Sequence, residues 1–126
     1  MNLKIVFLMS AWAALSFGIP SLLVPEMVTG IYGVTNMSAN EVLLARAGGG
    51  SWIALGVMSW FVRSAGPSTE RDGIVLGMII AYASSFVMTL LGILNNVYTG
   101  FGSATVAVDL VLTLGFAYFR LIKRDV

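Results

Sequence analysis

Two charged residues of opposite sign interrupt long apolar stretches of this chain. Arg46 lies in the apolar segment 42–62 and Asp109 in the segment 103–119. Arginine keeps its proton at any accessible pH. A charge at a bilayer centre costs about 2.5–3.5 kcal/mol even on lenient insertion scales. An Arg46–Asp109 pair offsets much of that cost for both. At 1.5 Å of rise per residue, Arg46 lies roughly 6 Å inside its segment and Asp109 roughly 9 Å inside its own. An arginine side chain bridges that difference. Glu41, five residues before Arg46, is a second partner at the rim.

Three chemistries follow from this constellation. A structural ion pair would fix helix register. A binding site would use Arg46 to hold an anionic head group or carboxylate. A coupled transport site would let Asp109 take up a proton. Catalysis is poorly equipped: one carboxylate without histidine, cysteine or a second nearby acid makes a weak acid–base pair. No catalytic residue is assigned. Thr105 and Thr113 continue the Asp109 face, and Gly50 continues the Arg46 face. With Gly49, Trp52 and Tyr82 they line a candidate polar pocket.

The elements that position these residues follow from composition. Of 126 residues, 58% are hydrophobic and 10% charged. Soluble domains carry about 25% charge. So apolar a chain needs lipid as part of its solvent. A net charge of +1 gives no field to draw nucleic acid. Cysteine and histidine are both absent, which excludes disulfides, thiolate nucleophiles, iron–sulfur clusters and histidine ligation or proton shuttling within this chain. No cofactor and no metal is expected.

Four segments meet the length of about 20 apolar residues that a membrane span needs: 5–24, 42–62, 73–94 and 103–119. The fold class is an all-α integral membrane four-helix bundle, one domain over 1–126. Lys4 followed by an apolar run also fits a signal peptide. The run continues past a typical signal core to Val24, which favours a span.

Six of the seven basic residues (Lys4, Arg63, Arg71, Arg120, Lys123 and Arg124) flank one side of these segments. The positive-inside rule puts both termini and the 63–72 loop in the cytoplasm, in a multi-pass plasma or inner membrane protein. The same residues form a basic rim suited to anionic lipid. Loops 25–41 and 95–102 face outward. Trp60, Tyr118 and Phe119 mark the inner boundary, and Tyr32, Tyr98 and Phe101 the outer one.

Ser38-Ala39-Asn40-Glu41 reads as a capping box, Pro67-Ser68-Thr69-Glu70 as a similar start, and Asn95-Asn96 as a stop. Residues 27–34 are apolar and punctuated by glycine, as in a short cap over the bundle. Asn36-Met37-Ser38 fits the N-glycosylation pattern. Small residues permit close helix approach in lipid. They recur as Ser10, Ala14, Gly18 and as Gly73, Gly77, Ala81, Ser85, Thr89. Gly48-Gly49-Gly50 can admit a neighbouring helix, a ligand or a bend.

Pro25…Gly30…Gly33, then Asn40-Glu41…Arg46-Ala47-Gly48-Gly49, Gly56 and Arg63, give the chain a pattern that resembles small bacterial four-helix membrane proteins of the DoxX-like kind. The resemblance implies four spans and, in some members, service as a partner subunit of a respiratory or redox complex. It carries over no catalytic residue. The expected function is therefore non-enzymatic: an accessory subunit or a small-ligand or lipid-binding module. The alternative is a small homo-oligomeric transporter, and the third a membrane enzyme acting on a lipid or quinone. Expected partners are the bilayer and either a second copy or another membrane protein.

Overall fold

Polar caps set the starts of three of the long helices. The Asn2 carboxamide oxygen accepts from the Ile5 N–H at 3.0 Å. Ser38 Oγ accepts from the Glu41 N–H at 3.1 Å and donates to Glu41 Oε1 at 3.1 Å. Ser68 Oγ accepts from the Arg71 N–H at 3.0 Å. Each such cap stabilises its helix by about 1 kcal/mol. The helices consequently start two to four residues before the apolar segments do.

The computed structural model describes residues 2–122. Lys123 and Arg124 of the expected basic rim lie outside the described residues. The helices are α1 (Leu3–Leu23), α2 (Pro25–Ile31), α3 (Ala39–Val62), α4 (Thr69–Leu94) and α5 (Phe101–Leu121), with no strand among the described residues. All except α2 are long and apolar enough to cross a membrane. The expected cap at 27–34 is mostly the short α2, opened by Pro25 at its first turn, where a missing N–H costs nothing. Asn95 closes α4, and Asn96 adopts the left-handed conformation (φ 59°) that asparagine tolerates.

The chain packs as two antiparallel pairs. α1 lies against α3, with Leu15 facing Gly56 and Ser10 bonded to Ser59. The contact is closest at Gly18 and Gly49. A Cβ on Gly18 would stand 2.8 Å from Gly49 O, and one on Gly49 would stand 2.6 Å from Leu22 N. Backbone meets backbone there, so nothing can yield. The stripe Ser10, Ala14, Gly18 is thus a buried face, as expected.

α4 lies against α5, joined by Ser85 to Asp109 and by Ile93 to Gly102. α1 links the pairs. Its Phe7 packs edge-on to Phe116 of α5 at 5.1 Å, and its Ser10 bonds Tyr82 of α4 at 2.9 Å. The core gathers Leu3, Val6 and Phe7 with Val75, Met78 and Tyr82, and with Leu112, Phe116 and Phe119.

Two expectations about packing need correction. The buried face of α4 runs through Arg71, Val75, Met78, Tyr82 and Thr89, at helical spacing. Gly73 and Gly77 have open space around them, so the small-residue stripe does not form the seam along its whole length. Of Gly48, Gly49 and Gly50 only Gly49 meets another helix; Gly48 and Gly50 are open, and α3 runs through all three without a break.

Large side chains remain uncovered: Trp12 and Phe61 are each 78% exposed. In water that surface would drive aggregation. Against hydrocarbon it costs nothing.

Candidate functional site

Asp109 is 4% exposed, midway along α5. Its depth from the start of the helix is about 12 Å, eight residues at 1.5 Å each. Ser85 of α4 lies at a similar depth because the two helices run antiparallel. Its Oγ donates to Asp109 Oδ2 at 2.7 Å. One turn on, Thr113 Oγ1 donates to the Asp109 backbone carbonyl at 2.7 Å. Ser85 is the carboxylate's one hydrogen-bond partner among the described residues.

Arg46 is not there. Its side chain is exposed on α3. α3 packs chiefly on α1 and more lightly on α4, while α5 packs chiefly on α4 and also on α1. Arg46 and Asp109 thus sit on helices that are not closely packed on each other, and among the described residues no ion pair joins them. Matching depth along two helices does not make them neighbours, and depth was the only coordinate available from sequence. Glu41 is exposed too and works as part of the α3 cap rather than as a partner for Arg46.

The expected pocket residues divide. Gly49 belongs to the α1 seam, and Gly50 faces open space. Thr105 and Thr113 flank Asp109 on α5, one turn to either side, and Tyr82 and Trp52 pack on each other. Thr105, one turn before Asp109, shares a hydrogen bond with the Tyr32 hydroxyl. Tyr82 lies three residues before Ser85, and its ring centroid is 5.4 Å from that of Trp52. Trp52 continues to Phe17 at 6.1 Å, Phe17 to Tyr32 at 6.4 Å, and Tyr32 to Tyr98 at 5.5 Å. A run of rings thus passes from the loop end of the molecule into its interior.

Tyr32 is the residue that sequence reading placed only as a boundary aromatic. It lies between α2 and α3 and is 8% exposed. Burial pushes its hydroxyl above the ordinary tyrosine value; the Thr105 bond opposes this, and the Asp109 and Tyr98 charges add to it. Its backbone carbonyl accepts from the Thr99 N–H at 2.8 Å. It thereby ties the loop after α2 to the loop before α5. A signal for this position was present: an aromatic with a polar tip in an otherwise apolar loop seeks a buried partner.

A second polar cluster crosses the core. Ser10, Ser59 and Tyr82 come from three helices and are 0%, 0% and 2% exposed. Ser10 Oγ lies 2.9 Å from Ser59 Oγ and 2.9 Å from the Tyr82 hydroxyl. Met78 Sδ accepts from Ser59 at 3.7 Å. Every hydroxyl in it is satisfied, so it reads as interhelical adhesion.

Among the described residues no three His, Cys, Asp or Glu side chains gather where a metal ion would sit. No family model, curated protein or solved structure matches the chain. The functional reading therefore stands on side-chain geometry.

Proposed function

We propose that this chain is a four-span membrane bundle with both termini cytoplasmic, serving as a small-ligand-binding module centred on Asp109. The observation that carries the proposal is the setting of that carboxylate. It is buried among apolar helices, held by one serine hydroxyl, and met by no arginine or lysine among the described residues. An ionisable side chain at this depth costs several kcal/mol in hydrocarbon, and such residues mark ligand or proton sites. The structural ion pair that would have explained Asp109 more simply is not made. Tyr32, bonded to Thr105 one turn from Asp109, lies on the loop side of the site.

Native mass spectrometry of the protein, extracted gently from its own membranes, tests this. A small molecule retained by the wild type and lost from Asp109→Asn is the expected result. Asparagine still accepts from Ser85, so the fold survives the change. Identical spectra for both proteins would reduce Asp109 to a helix-joining hydrogen bond.

A second reading, an accessory subunit or one protomer of an oligomer, is favoured by α3. Its Arg46 is permanently charged, exposed and about 10 Å from the helix start. A partner chain bearing an acid at that height would complete it. The same spectra would then show a stoichiometric second protein or a second copy.

A further inference from the structure

We infer that the lipid-facing surface of α1 and α3 holds an anionic phospholipid, with an acyl chain in the groove between Trp12 and Trp60 and the phosphate between Lys4 and Arg63. This rests on the membrane reading of the chain and is independent of Asp109.

The groove follows from side-chain size. Leu8, Ala11, Leu15 and Ile19 form one stripe of α1 at helical spacing. Ala11 is short and 3% exposed, and makes the floor. Trp12 and Trp60 stand up beside it, 78% and 47% exposed. Between them runs an open groove of about 570 Å³, lined from Leu8 to Pro20 of α1 and by Trp60 of α3. At 1.5 Å per residue it is about 18 Å long. Half of a hydrocarbon core of about 30 Å is about 15 Å. The groove thus has the length of one leaflet. Its lining is apolar but for Ser16 and the indole N–H groups, as an acyl chain requires.

The sign of the head group follows from the mouth. Lys4 continues the stripe one turn before Leu8 and is exposed. Ser10 bonds Ser59, and α1 and α3 run antiparallel. Six residues back along α1 and four on along α3 therefore bring Lys4 and Arg63 to heights within about 3 Å of each other. The Arg63 guanidinium lies over the Trp60 ring, 3.8 Å from its centroid, and donates to the Trp60 carbonyl. Its other N–H groups meet no acceptor, and Lys4 joins no ion pair, among the described residues. α1 carries no acid, and the single acid of α3, Glu41, lies at its opposite end. Two cations at the end of an apolar groove match a phosphate above an acyl chain.

The same charges disfavour a second copy at this face. A two-fold contact there would set Lys4 and Arg63 of both chains against one another.

Tryptophan quenching of the full chain in lipid vesicles tests the inference. Phosphatidylglycerol with brominated acyl chains is mixed into plain phosphatidylcholine, and brominated phosphatidylcholine into plain phosphatidylglycerol, at matched fractions. Trp52 packs on Phe17 and Tyr82, so the lipid-facing tryptophans are those of the groove. Phosphatidylglycerol should be preferred about tenfold or more. Lys4→Gln with Arg63→Gln should abolish that preference. Lys123→Gln with Arg124→Gln, which removes the same charge from the other end of the chain, should keep it. Circular dichroism checks that both variants fold. Equal affinity of the unaltered protein for the two lipids would overturn the inference without any variant. So would a preference that survives the first pair of changes, or one that falls equally with the second, which marks a diffuse basic surface. No quenching by either lipid, in protein that floats with the vesicles, would put protein in the groove and overturn it too. Protein that does not float with the vesicles would overturn the membrane reading itself.

Discussion

Ser85 and Asp109 meet across α4 and α5 at 2.7 Å, and this contact sets the register of that pair. It also decides the electrostatics of the interior. Among the described residues the carboxyl group is bound by a neutral hydroxyl rather than by a guanidinium.

Ser85→Ala should therefore destabilise the protein more than Asp109→Asn does. The first leaves a buried carboxylate without its donor. The second preserves an acceptor of the same shape. The expected losses are about 1–3 kcal/mol for Ser85→Ala and under about 1 kcal/mol for Asp109→Asn. Reversible unfolding in mixed micelles measures both. The opposite order would show that the contact is not the one described.

Gly49→Ala should disrupt the α1–α3 seam, at a cost of about 1–3 kcal/mol, because the new Cβ meets Leu22 N and Gly18 O. Gly77→Ala meets nothing and should stabilise α4, by up to about 1 kcal/mol on helix propensity. Thermal unfolding of the two variants side by side checks the assignment. A harmless Gly49→Ala would place the helices further apart than described.

These glycines also show how far the sequence could be read. Length and hydropathy located the four long helices, because lipid sets a length that few other segments reach. Ser38 and Ser68 were legible as caps because capping is local. The small-residue faces were half legible: Ser10, Ala14 and Gly18 point at α3, whereas Gly73 and Gly77 point away from the chain. Spacing identifies a face and not what covers it. Arg46 and Asp109 failed for the same reason, since helix order around the bundle is a tertiary property. The Asp109 partner was closer to hand. Ser84-Ser85 is a polar pair in mid-α4, at the depth of Asp109.

Alkaline pH should loosen the loop end. The Tyr32 hydroxyl titrates above its ordinary value of 10.0 when folded, chiefly because it is buried. The unfolded chain then loses that proton first. Its stabilising contribution is whole below about pH 10 and is lost as pH rises through the folded value. Hydrogen exchange of the Gly33 and Thr99 amides between pH 9 and 12, corrected for intrinsic rates, should reveal the opening. Tyr32→Phe should abolish this pH-dependent component while lowering protection at neutral pH. A steepness unchanged in Tyr32→Phe would assign the transition to another group.

The Ser10–Ser59–Tyr82 cluster makes the sharpest prediction about α1. Ser10 is its node, bonded to both other hydroxyls; Tyr82 also donates to the Ser10 carbonyl at 3.2 Å and Ser59 to Met78 Sδ at 3.7 Å, so Ser10→Ala leaves each partner one contact, while Tyr82→Phe removes both contacts of the Tyr82 hydroxyl. Hydrogen bonds between helices in lipid average about 0.6 kcal/mol and reach about 1.7. Each variant loses two hydrogen bonds, so both should fall within that range, as unfolding in micelles would measure. The double variant should cost less than the sum of the two, by roughly 0.5 kcal/mol or more, because the second change removes a contact already lost. Strict additivity would mean that the two hydroxyls act independently rather than as one cluster.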